Sequence, residues 1–233
     1  MIPSIILSAG YGKRLKPITN NIPKCLVKIN NIPILDFWIN KLIKSNYGPF
    51  LVNTHYLKNK VLKHIKKSCY KEHIKITNEK KLLGTAGTLI KNLEFCQGKD
   101  TLLMHVDNYC KVDMRKFYKE HVNRPKKCMM TMMTFKPDDP INCGILKIDK
   151  NSVAKRFYEK SMSKGNYANG AIYLISNEMQ NEIKNNFKNA KDFSKDIIPK
   201  IKEKIFCFTT NEIFVDIGSK NNYIRVRKIK PKI

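Results

Sequence analysis

Short apolar runs separated by polar loops recur through the first half of the chain. Four of them have the length of buried strands and span residues 2–7, 50–53, 74–77 and 101–106. Between these runs, apolar residues recur every three or four positions, as in amphipathic helices, over residues 57–66, 82–93 and 113–121. The clearest helix begins after Pro33, with apolar positions Ile34, Leu35, Trp38, Leu42 and Ile43. This alternation predicts an α/β fold: a doubly wound, mostly parallel, Rossmann-like sheet with helices on both faces.

In the second half, extended segments follow one another with few helices between them. They are predicted over residues 128–135, 144–148, 153–158 and 167–175, with turn residues between them. Helices over 176–187 and 192–201, strands over 205–209 and 213–217, and a basic helical tail from Ser219 complete the pattern. We therefore predict a smaller added β region in this half. No repeat or low-complexity linker divides residues 1–233, which predicts a single domain.

The composition is that of a globular protein, with 42% hydrophobic residues among 233. No apolar run approaches the roughly 18 residues of a membrane span, and the N-terminus lacks a signal-peptide pattern. We expect a cytoplasmic protein with no membrane partner. The seven cysteines include no C-x-x-C pair, which indicates reduced thiols rather than a disulfide framework or a zinc site.

The net charge of +26 raises the question of a nucleic-acid partner. Most of the excess is Lys, and Lys, Asn and Ile are abundant throughout, as the codon bias of an AT-rich genome would produce. Nucleic-acid readers favour Arg for bidentate contacts, and the chain has no zinc-finger spacing or RNP-like motif. A basic nucleic-acid-binding module is therefore disfavoured, and it is kept as the non-enzyme alternative.

The loop after the first apolar run carries glycines and cations but no acidic residue. Glycine lets backbone N–H groups approach an anion, and the carboxyl end of such a strand is where open α/β sheets bind ligands. A dinucleotide fingerprint would need Gly where Leu15 stands, which disfavours a nicotinamide-dependent dehydrogenase, and the Lys-Ser/Thr of a P-loop is absent. Arg14 offers a planar fork to a pyrophosphate, and Lys24 offers a point charge to a phosphoryl group.

Two aspartates end apolar runs in the predicted sheet. Asp107 follows the run that ends at Val106, and Asp216 follows Ile213-Phe214-Val215. Mg²⁺ prefers one or two carboxylates together with substrate oxygens, so both are candidate ligands. The alternative for each aspartate is to cap the helix that follows.

Seven segments together resemble the sugar-1-phosphate nucleotidyltransferase family. In chain order they are LSAGYGKRLKPITNNIPKCLV, LLGTAGTL, HVDN, FYEKS, NGAIY, DFSKDIIP and FVDIGS. Within the family the chain is most similar to compact bacterial enzymes of the mannose-1-phosphate guanylyltransferase type, which consist of the catalytic domain only. The resemblance implies a nucleotide-binding half over about 1–125 and a sugar-phosphate-binding half over about 126–227.

The resemblance also implies the chemistry and the site. In this family a sugar-1-phosphate oxygen attacks the α-phosphorus of a nucleoside triphosphate in line, and pyrophosphate leaves. The implied catalytic residues are Arg14 and Lys24; the nucleotide-binding residues are Leu7, Ala9, Gly10, Gly12, Gly84 and Thr85; the sugar-phosphate-binding residues are Gly144, Glu159, Lys160 and Asn169; and the Mg²⁺ ligands are Asp107 and Asp216.

The resemblance leaves the substrates and some residues open. GTP with a mannose- or heptose-like 1-phosphate is our first interpretation, and UTP or CTP with another sugar phosphate or a phosphocholine-like acceptor is the alternative. Homo-oligomerisation is also open. We expect His105, next to the end of the apolar run that precedes Asp107, to be structural. Glu79 is either a loop or ribose contact or a surface charge.

Overall fold

A computed structural model of the chain describes residues 1–159 and 165–229. The strands are β1 (Ile2–Leu7), β2 (Lys28–Ile29), β3 (Ile32–Pro33), β4 (Tyr47–Thr54), β5 (Ile74–Asn78), β6 (Thr101–His105), β7 (Asn108–Cys110), β8 (Met130–Phe135), β9 (Gly144–Ile148), β10 (Ala154–Glu159), β11 (Tyr167–Ile175), β12 (Ile205–Thr210) and β13 (Phe214–Asp216). The α-helices are α1 (Ile34–Ile43), α2 (Lys58–Lys67), α3 (Gly84–Lys91), α4 (Met114–Val122), α5 (Asn177–Asn186), α6 (Ile198–Ile201) and α7 (Lys220–Arg227). No helix among the described residues is long and apolar enough to cross a membrane.

Nine of the described strands form one mixed sheet. The strands β5, β4, β1 and β6 are parallel neighbours in that order, as the alternation of strands and helices predicts. Next to β6 lies β11, which is antiparallel to it and also pairs with β8 and β9. The sheet continues through β12, which runs parallel to β8, and through the antiparallel β9–β10 pair. The strands of the second half therefore extend the same sheet, rather than forming a layer beside it.

Helices cover both faces of this sheet, which confirms the doubly wound prediction. Side chains alternate along β1, so Ile6 enters one buried cluster while Ile5 and Leu7 enter the other. The cluster around Ile6 takes residues from α1, α2, α4 and α7, and the other cluster takes residues from α3, α5 and α6. The division of the chain into nucleotide-binding and sugar-phosphate-binding halves stays a prediction.

The long strand β11 bends near its middle. Asn169 pairs with Thr134 and Tyr173 pairs with Met132, so β11 has two more residues than β8 across this interval. Ala171 lies in the bulge with a φ of 51°, and the Asn108 side-chain amide donates a hydrogen bond to the Gly170 carbonyl oxygen at 2.9 Å. Bulges re-aim side chains next to functional sites, and this one lies at the wall of a cleft described below.

A buried histidine links α4 to the sheet. The His121 side chain is fully buried, and its Nε2 lies 3.1 Å from Asp100 Oδ2 while its Nδ1 lies 2.7 Å from Thr131 Oγ1. Burial lowers the pKa of His121 despite its hydrogen bond to Asp100. The neutral imidazole satisfies both contacts by donating from Nε2 and accepting at Nδ1. This residue is therefore held uncharged in the folded protein.

We expect the free energy of unfolding to fall as the pH is lowered below 6.5, the ordinary pKa of histidine. In the unfolded chain His121 takes up a proton that the native imidazole resists, so stability is lost down to its depressed native pKa. The limiting slope for one proton is about 1.4 kcal/mol per pH unit. Denaturant unfolding across this range measures it. His121→Gln should remove this part of the slope and His64→Gln should retain it; an unchanged slope in His121→Gln would contradict the assignment.

Candidate functional site

The loop that follows β1 is fixed by its own short turns. Gly12 has a φ of +64°, and a Cβ at this position would lie 2.9 Å from Thr19 Cγ2, so glycine is required on both grounds. Thr19 Oγ1 donates to the Gly12 carbonyl oxygen at 2.8 Å. Leu15 and Cys25 are fully buried in the cluster beneath the loop. These anchors leave Arg14 and Lys24, their chain neighbours, to face the carboxyl end of the sheet.

A buried carboxylate joins this loop to two neighbouring elements. Glu79 is 3% exposed, and its oxygens accept hydrogen bonds from Asn53 Nδ2 at 2.8 Å, Thr88 Oγ1 at 2.6 Å and the Leu83 amide at 3.0 Å. Asn53 Oδ1 in turn accepts from the Ser8 amide at 2.6 Å. The ends of β1 and β4 and the start of α3 are thereby held together. Glu79 is a buried loop contact and not a surface charge.

Asp107 and Asp216 are brought together by a short two-stranded ribbon, formed by the antiparallel strands β7 and β13. Asp216, the last residue of β13, pairs with Asn108 at the start of β7, and the Ile217 amide donates to the Asp107 carbonyl oxygen at 2.9 Å. The only tryptophan, Trp38, is buried beneath the ribbon and donates from Nε1 to the Asn108 carbonyl oxygen at 2.7 Å. Residues far apart in sequence are therefore held at one point of the sheet edge.

Two cations of the loop meet these two carboxylates. The Lys24 ammonium contacts Asp107 Oδ2 and lies 3.9 Å from Asp216 Oδ1, while Arg14 Nη2 lies 3.3 Å from Asp216 Oδ2. Burial would raise the pKa of Asp107, but Lys24 and then His105 outweigh it and hold this pKa below its usual range. A Cβ on Gly218 would lie 2.7 Å from Asp216 Oδ1 and 2.8 Å from both cations, so a side chain at this position would have to displace the ends of these three side chains.

Two clefts meet at this cluster, and both are lined by Asp107 and His105. The first cleft contains every residue predicted to bind the nucleotide, together with Lys24: Leu7, Ala9, Gly10, Gly12, Gly84 and Thr85. The second contains Arg14, Asp216 and three residues predicted to bind the sugar phosphate: Gly144, Glu159 and Asn169. The fourth, Lys160, lies outside the described residues. The roles of all these side chains stay predictions.

Several residues of the clefts were not assigned from the sequence. His105, which we expected to be structural, lines both clefts. The stacked rings of Phe135 and Phe214, with centroids 4.4 Å apart, line the second cleft. Ser194 also lines it, next to Asn169, to which it is hydrogen-bonded. Ser194 belongs to DFSKDIIP, which was noted as a motif without a role for this residue. Local patterns give no signal for the two rings, because each lies within an ordinary apolar strand.

The carboxylates of the site suit a divalent cation whose remaining ligands come from a substrate. Two carboxylates lie at one point, and the ammonium of Lys24 shows that a positive charge is stabilised there. Among the described residues no group of three or more His, Cys, Asp or Glu side chains could enclose a metal ion. A closed structural site is therefore not formed, whereas Mg²⁺ needs only one or two carboxylates plus phosphate oxygens.

The chain is similar to named guanylyltransferases along nearly its whole length. A protein of Sulfolobus acidocaldarius named as a mannose-1-phosphate guanyltransferase is 26% identical over 97% of this chain. A D-glycero-alpha-D-manno-heptose 1-phosphate guanylyltransferase of Campylobacter jejuni is 27% identical over 94% of it. The chain spans 62% of the length of the first relative and 96% of the length of the second.

Solved structures and a family profile agree with these relatives. HddC from Yersinia pseudotuberculosis superimposes with a TM-score of 0.83 over 98% of this chain and 99% of its own, at 23% identity. Its complex with GMP-PN superimposes with a TM-score of 0.82. At this identity the likeness shows the fold, which is the predicted Rossmann-like one. The profile of the nucleotidyl transferase family matches residues 3–232, so the resemblance seen in the sequence is confirmed, and the chain belongs to the nucleotidyl transferase family.

Proposed function

We propose that this chain transfers the nucleoside monophosphate unit of GTP to a mannose- or heptose-like sugar 1-phosphate. An oxygen of the sugar 1-phosphate forms a bond to the α-phosphorus, the bond from this phosphorus to the β-phosphate oxygen breaks, and pyrophosphate leaves. The products are an NDP-sugar and pyrophosphate. No side chain has to form a covalent bond, because positioning and neutralisation of charge supply the catalysis.

The observation that carries this proposal is the junction of the two clefts at Lys24 and Asp107. One cleft lies on the glycine loop, and the other lies between the ribbon and the bent strand β11. A transfer between two substrates requires their reacting atoms to meet, and the cluster of cations and carboxylates lies where the clefts join. A binding protein for one ligand would need only one of these clefts.

The residues take roles that follow from their charge and place. Ala9 and Gly10 would lie under the nucleotide, and Arg14 would bind the leaving β- and γ-phosphates with its planar fork. Lys24 would contact the phosphate under attack, with a point charge that follows the phosphoryl group. On the acceptor side, Glu159 would accept hydrogen bonds from sugar hydroxyls. Its carboxylate lies against Gly144, where a Cβ would be 2.9 Å from Glu159 Oε2.

Asp107 and Asp216 would hold the metal ion, which we propose to be Mg²⁺. Enzymes of this family generally use a divalent metal. When bound, the ion would neutralise charge on the phosphate oxygens. The chain's part at Asp107 is to keep this carboxylate ionised, which its depressed pKa favours.

The choice of GTP rests on the relatives. Two similar proteins are named as guanylyltransferases for mannose and heptose 1-phosphates, and one similar structure contains GMP-PN. Pyrophosphate release tests the choice, measured with Mg²⁺ and each of GTP, ATP, UTP and CTP. Each nucleotide is paired with mannose 1-phosphate, a heptose 1-phosphate, glucose 1-phosphate or phosphocholine. We expect the fastest release with GTP and the mannose or heptose compound.

Other outcomes of this grid separate the alternatives. Faster release with UTP or CTP, and with glucose 1-phosphate or phosphocholine, would replace our substrate pair with the alternative one. Release with no combination, together with binding of a random DNA duplex that persists near physiological salt, would favour the nucleic-acid-binding module instead.

A further inference from the structure

A short segment of the second half of the chain runs between the two clefts. It comprises residues 191–194 and precedes α6. On one side, the Lys191 carbonyl oxygen accepts a hydrogen bond from the Ala86 amide at 3.0 Å, in the first turn of α3. On the other side, Ser194 lines the second cleft. The segment therefore contacts the nucleotide side with its first residue and the acceptor side with its last.

Gly84 and Thr85 both contact this segment. Gly84 has a φ of +79°, and a Cβ there would lie 2.2 Å from the Lys191 carbonyl oxygen, so the two backbones meet without room for a side chain. Thr85 Oγ1 accepts a hydrogen bond from the Phe193 amide at 2.7 Å. Both residues line the nucleotide cleft. The side-chain hydrogen bond of Thr85 nevertheless goes to the segment that carries Ser194.

Phe193 connects Thr85 to the residues of the second cleft. Its side chain is 1% exposed and packs against the ring of Tyr173 with centroids 4.9 Å apart. The Tyr173 hydroxyl accepts from Asn169 Nδ2 at 2.8 Å. Without the Thr85 hydroxyl, the Phe193 amide would lose this partner in a part-buried position, and such a loss disturbs the backbone that makes the bond.

Ser194 is the residue whose hydroxyl can reach a ligand. Its Oγ accepts from Asn169 Nδ2 at 3.3 Å and also forms a hydrogen-bond contact with the Tyr173 hydroxyl. When the tyrosine donates in that contact, the serine O–H remains able to donate to a ligand. Asn169 also uses its side-chain oxygen, which accepts from the Ala171 amide at 2.8 Å. The amide predicted to contact the sugar thus makes contacts within the protein, and it orients the serine.

We propose that Ser194 binds the acceptor and that Thr85 is a positioning residue, which holds Ser194 in place through Phe193. This proposal rests on the proposed function, since it assigns the second cleft to a sugar 1-phosphate. Ser194 donates to a phosphate or hydroxyl oxygen of that acceptor. Thr85, which the family resemblance assigns to the nucleotide, controls the affinity for the other substrate.

The experiment compares Thr85→Val, Thr85→Ser, Ser194→Ala and the double variant Thr85→Val/Ser194→Ala with the wild type. KM for GTP and for mannose 1-phosphate, or for the pair that the substrate grid selects, is measured for each protein. We expect Thr85→Val and Ser194→Ala each to raise the acceptor KM by about ten-fold, and to change the GTP KM by less than about three-fold. Thr85→Ser should restore the acceptor KM, because it restores the hydroxyl.

The double variant separates one pathway from two. If both residues act through the same contact, the acceptor KM of the double variant should be no more than about two-fold above that of Ser194→Ala. Independent effects would instead multiply. A higher GTP KM with an unchanged acceptor KM in Thr85→Val would make Thr85 a nucleotide contact and overturn the proposal. Multiplied effects would overturn it as well.

A failure of the proposed function gives a different result. In that case the wild type itself releases no pyrophosphate with any pair. Calorimetric titration of GTP and of mannose 1-phosphate into each protein does not depend on turnover, and an acceptor affinity that is equal in wild type, Thr85→Val and Ser194→Ala would also overturn the inference. Thermal melting identifies any variant that fails to fold, and Thr85→Ser and Ser194→Ala then test the two ends separately.

Discussion

Replacing Asp107 by asparagine is expected to lower turnover at least ~100-fold, the scale of a lost charge contact in a transition state. The change keeps the shape of the side chain and removes its charge. Asp107 follows the buried strand β6, and its side chain is 18% exposed, so water cannot replace the carboxylate effectively. Its contact with Lys24 and its proposed part in metal binding both depend on that charge. Initial rates at saturating substrate concentrations measure the effect.

Two further variants define what the Asp107 result means. Asp216→Asn should show a loss of similar size, because the ribbon holds both carboxylates against Lys24. Asp138→Asn is the matched control, since that carboxylate pairs with Arg225 and is 74% exposed. It should keep turnover within about two-fold of the wild type. Full activity in Asp107→Asn, in a protein whose melting shows it to be folded, would remove this residue from the reaction.

The local pattern of the sequence was sufficient to place most elements of the fold. The spacing of apolar residues and the capping residues both agree with the structure, because both are local signals. Asp113 accepts from the Arg115 amide before α4, and Ser176 accepts from the Met179 amide before α5. The helix predicted over 192–201 is a π-helical turn at Phe193–Ile197, which Asp192 caps, followed directly by α6. A change in helical hydrogen bonding of this kind leaves the spacing of apolar residues almost unaltered.

Pairings between distant residues could not be predicted in this way. The place of β11 beside β6, and the bulge between Asn169 and Tyr173, depend on contacts that no single segment encodes. The bond from the Phe193 amide to Thr85 joins residues separated by 108 positions. Thr85 lies within the segment LLGTAGTL, whose sequence gives no signal of such a partner.

The candidate site was predicted in its main groups because strand ends are readable from a sequence. Asp107 follows an apolar run whose strand ends at the carboxyl edge of the main sheet. Asp216 was selected by the same pattern, but its strand β13 belongs to the separate two-stranded ribbon with β7. For His105 the sequence held a signal that was not used. Residues 105 and 107 are two positions apart, and alternation along a strand places such residues on the same face. His105 and Asp107 line the same two clefts.

Lys24→Met is expected to lower turnover ~100- to 1000-fold and, at the same time, to strengthen the binding of a divalent cation to the free protein. Lys24 is predicted to neutralise the phosphate under attack, which accounts for the first effect. The second follows from the free protein, where the ammonium contacts Asp107 and lies 3.9 Å from Asp216. A metal ion and this ammonium would compete for the same carboxylate oxygens. In the wild type, the phosphates of a bound nucleotide would attract the Lys24 ammonium away from the two carboxylates. Nucleotide and metal would therefore favour each other's binding.

Binding of Mn²⁺, followed by the electron paramagnetic resonance of the free ion, separates these effects because it needs no turnover. Without nucleotide, Lys24→Met should bind Mn²⁺ at least ~10-fold more tightly than the wild type, since one positive charge leaves a site where the Lys24 and Asp107 side chains are 12% and 18% exposed. Lys16→Met is the matched control: it removes the same charge from an exposed position of the same loop, so it should change Mn²⁺ affinity by less than about two-fold. Fluorescence of Trp38, which is hydrogen-bonded to the residue after Asp107, gives a second readout. Equal Mn²⁺ affinity in Lys24→Met and the wild type would mean that the ammonium does not occupy the position of the metal, and equal gains in both Lys variants would reduce the effect to net charge.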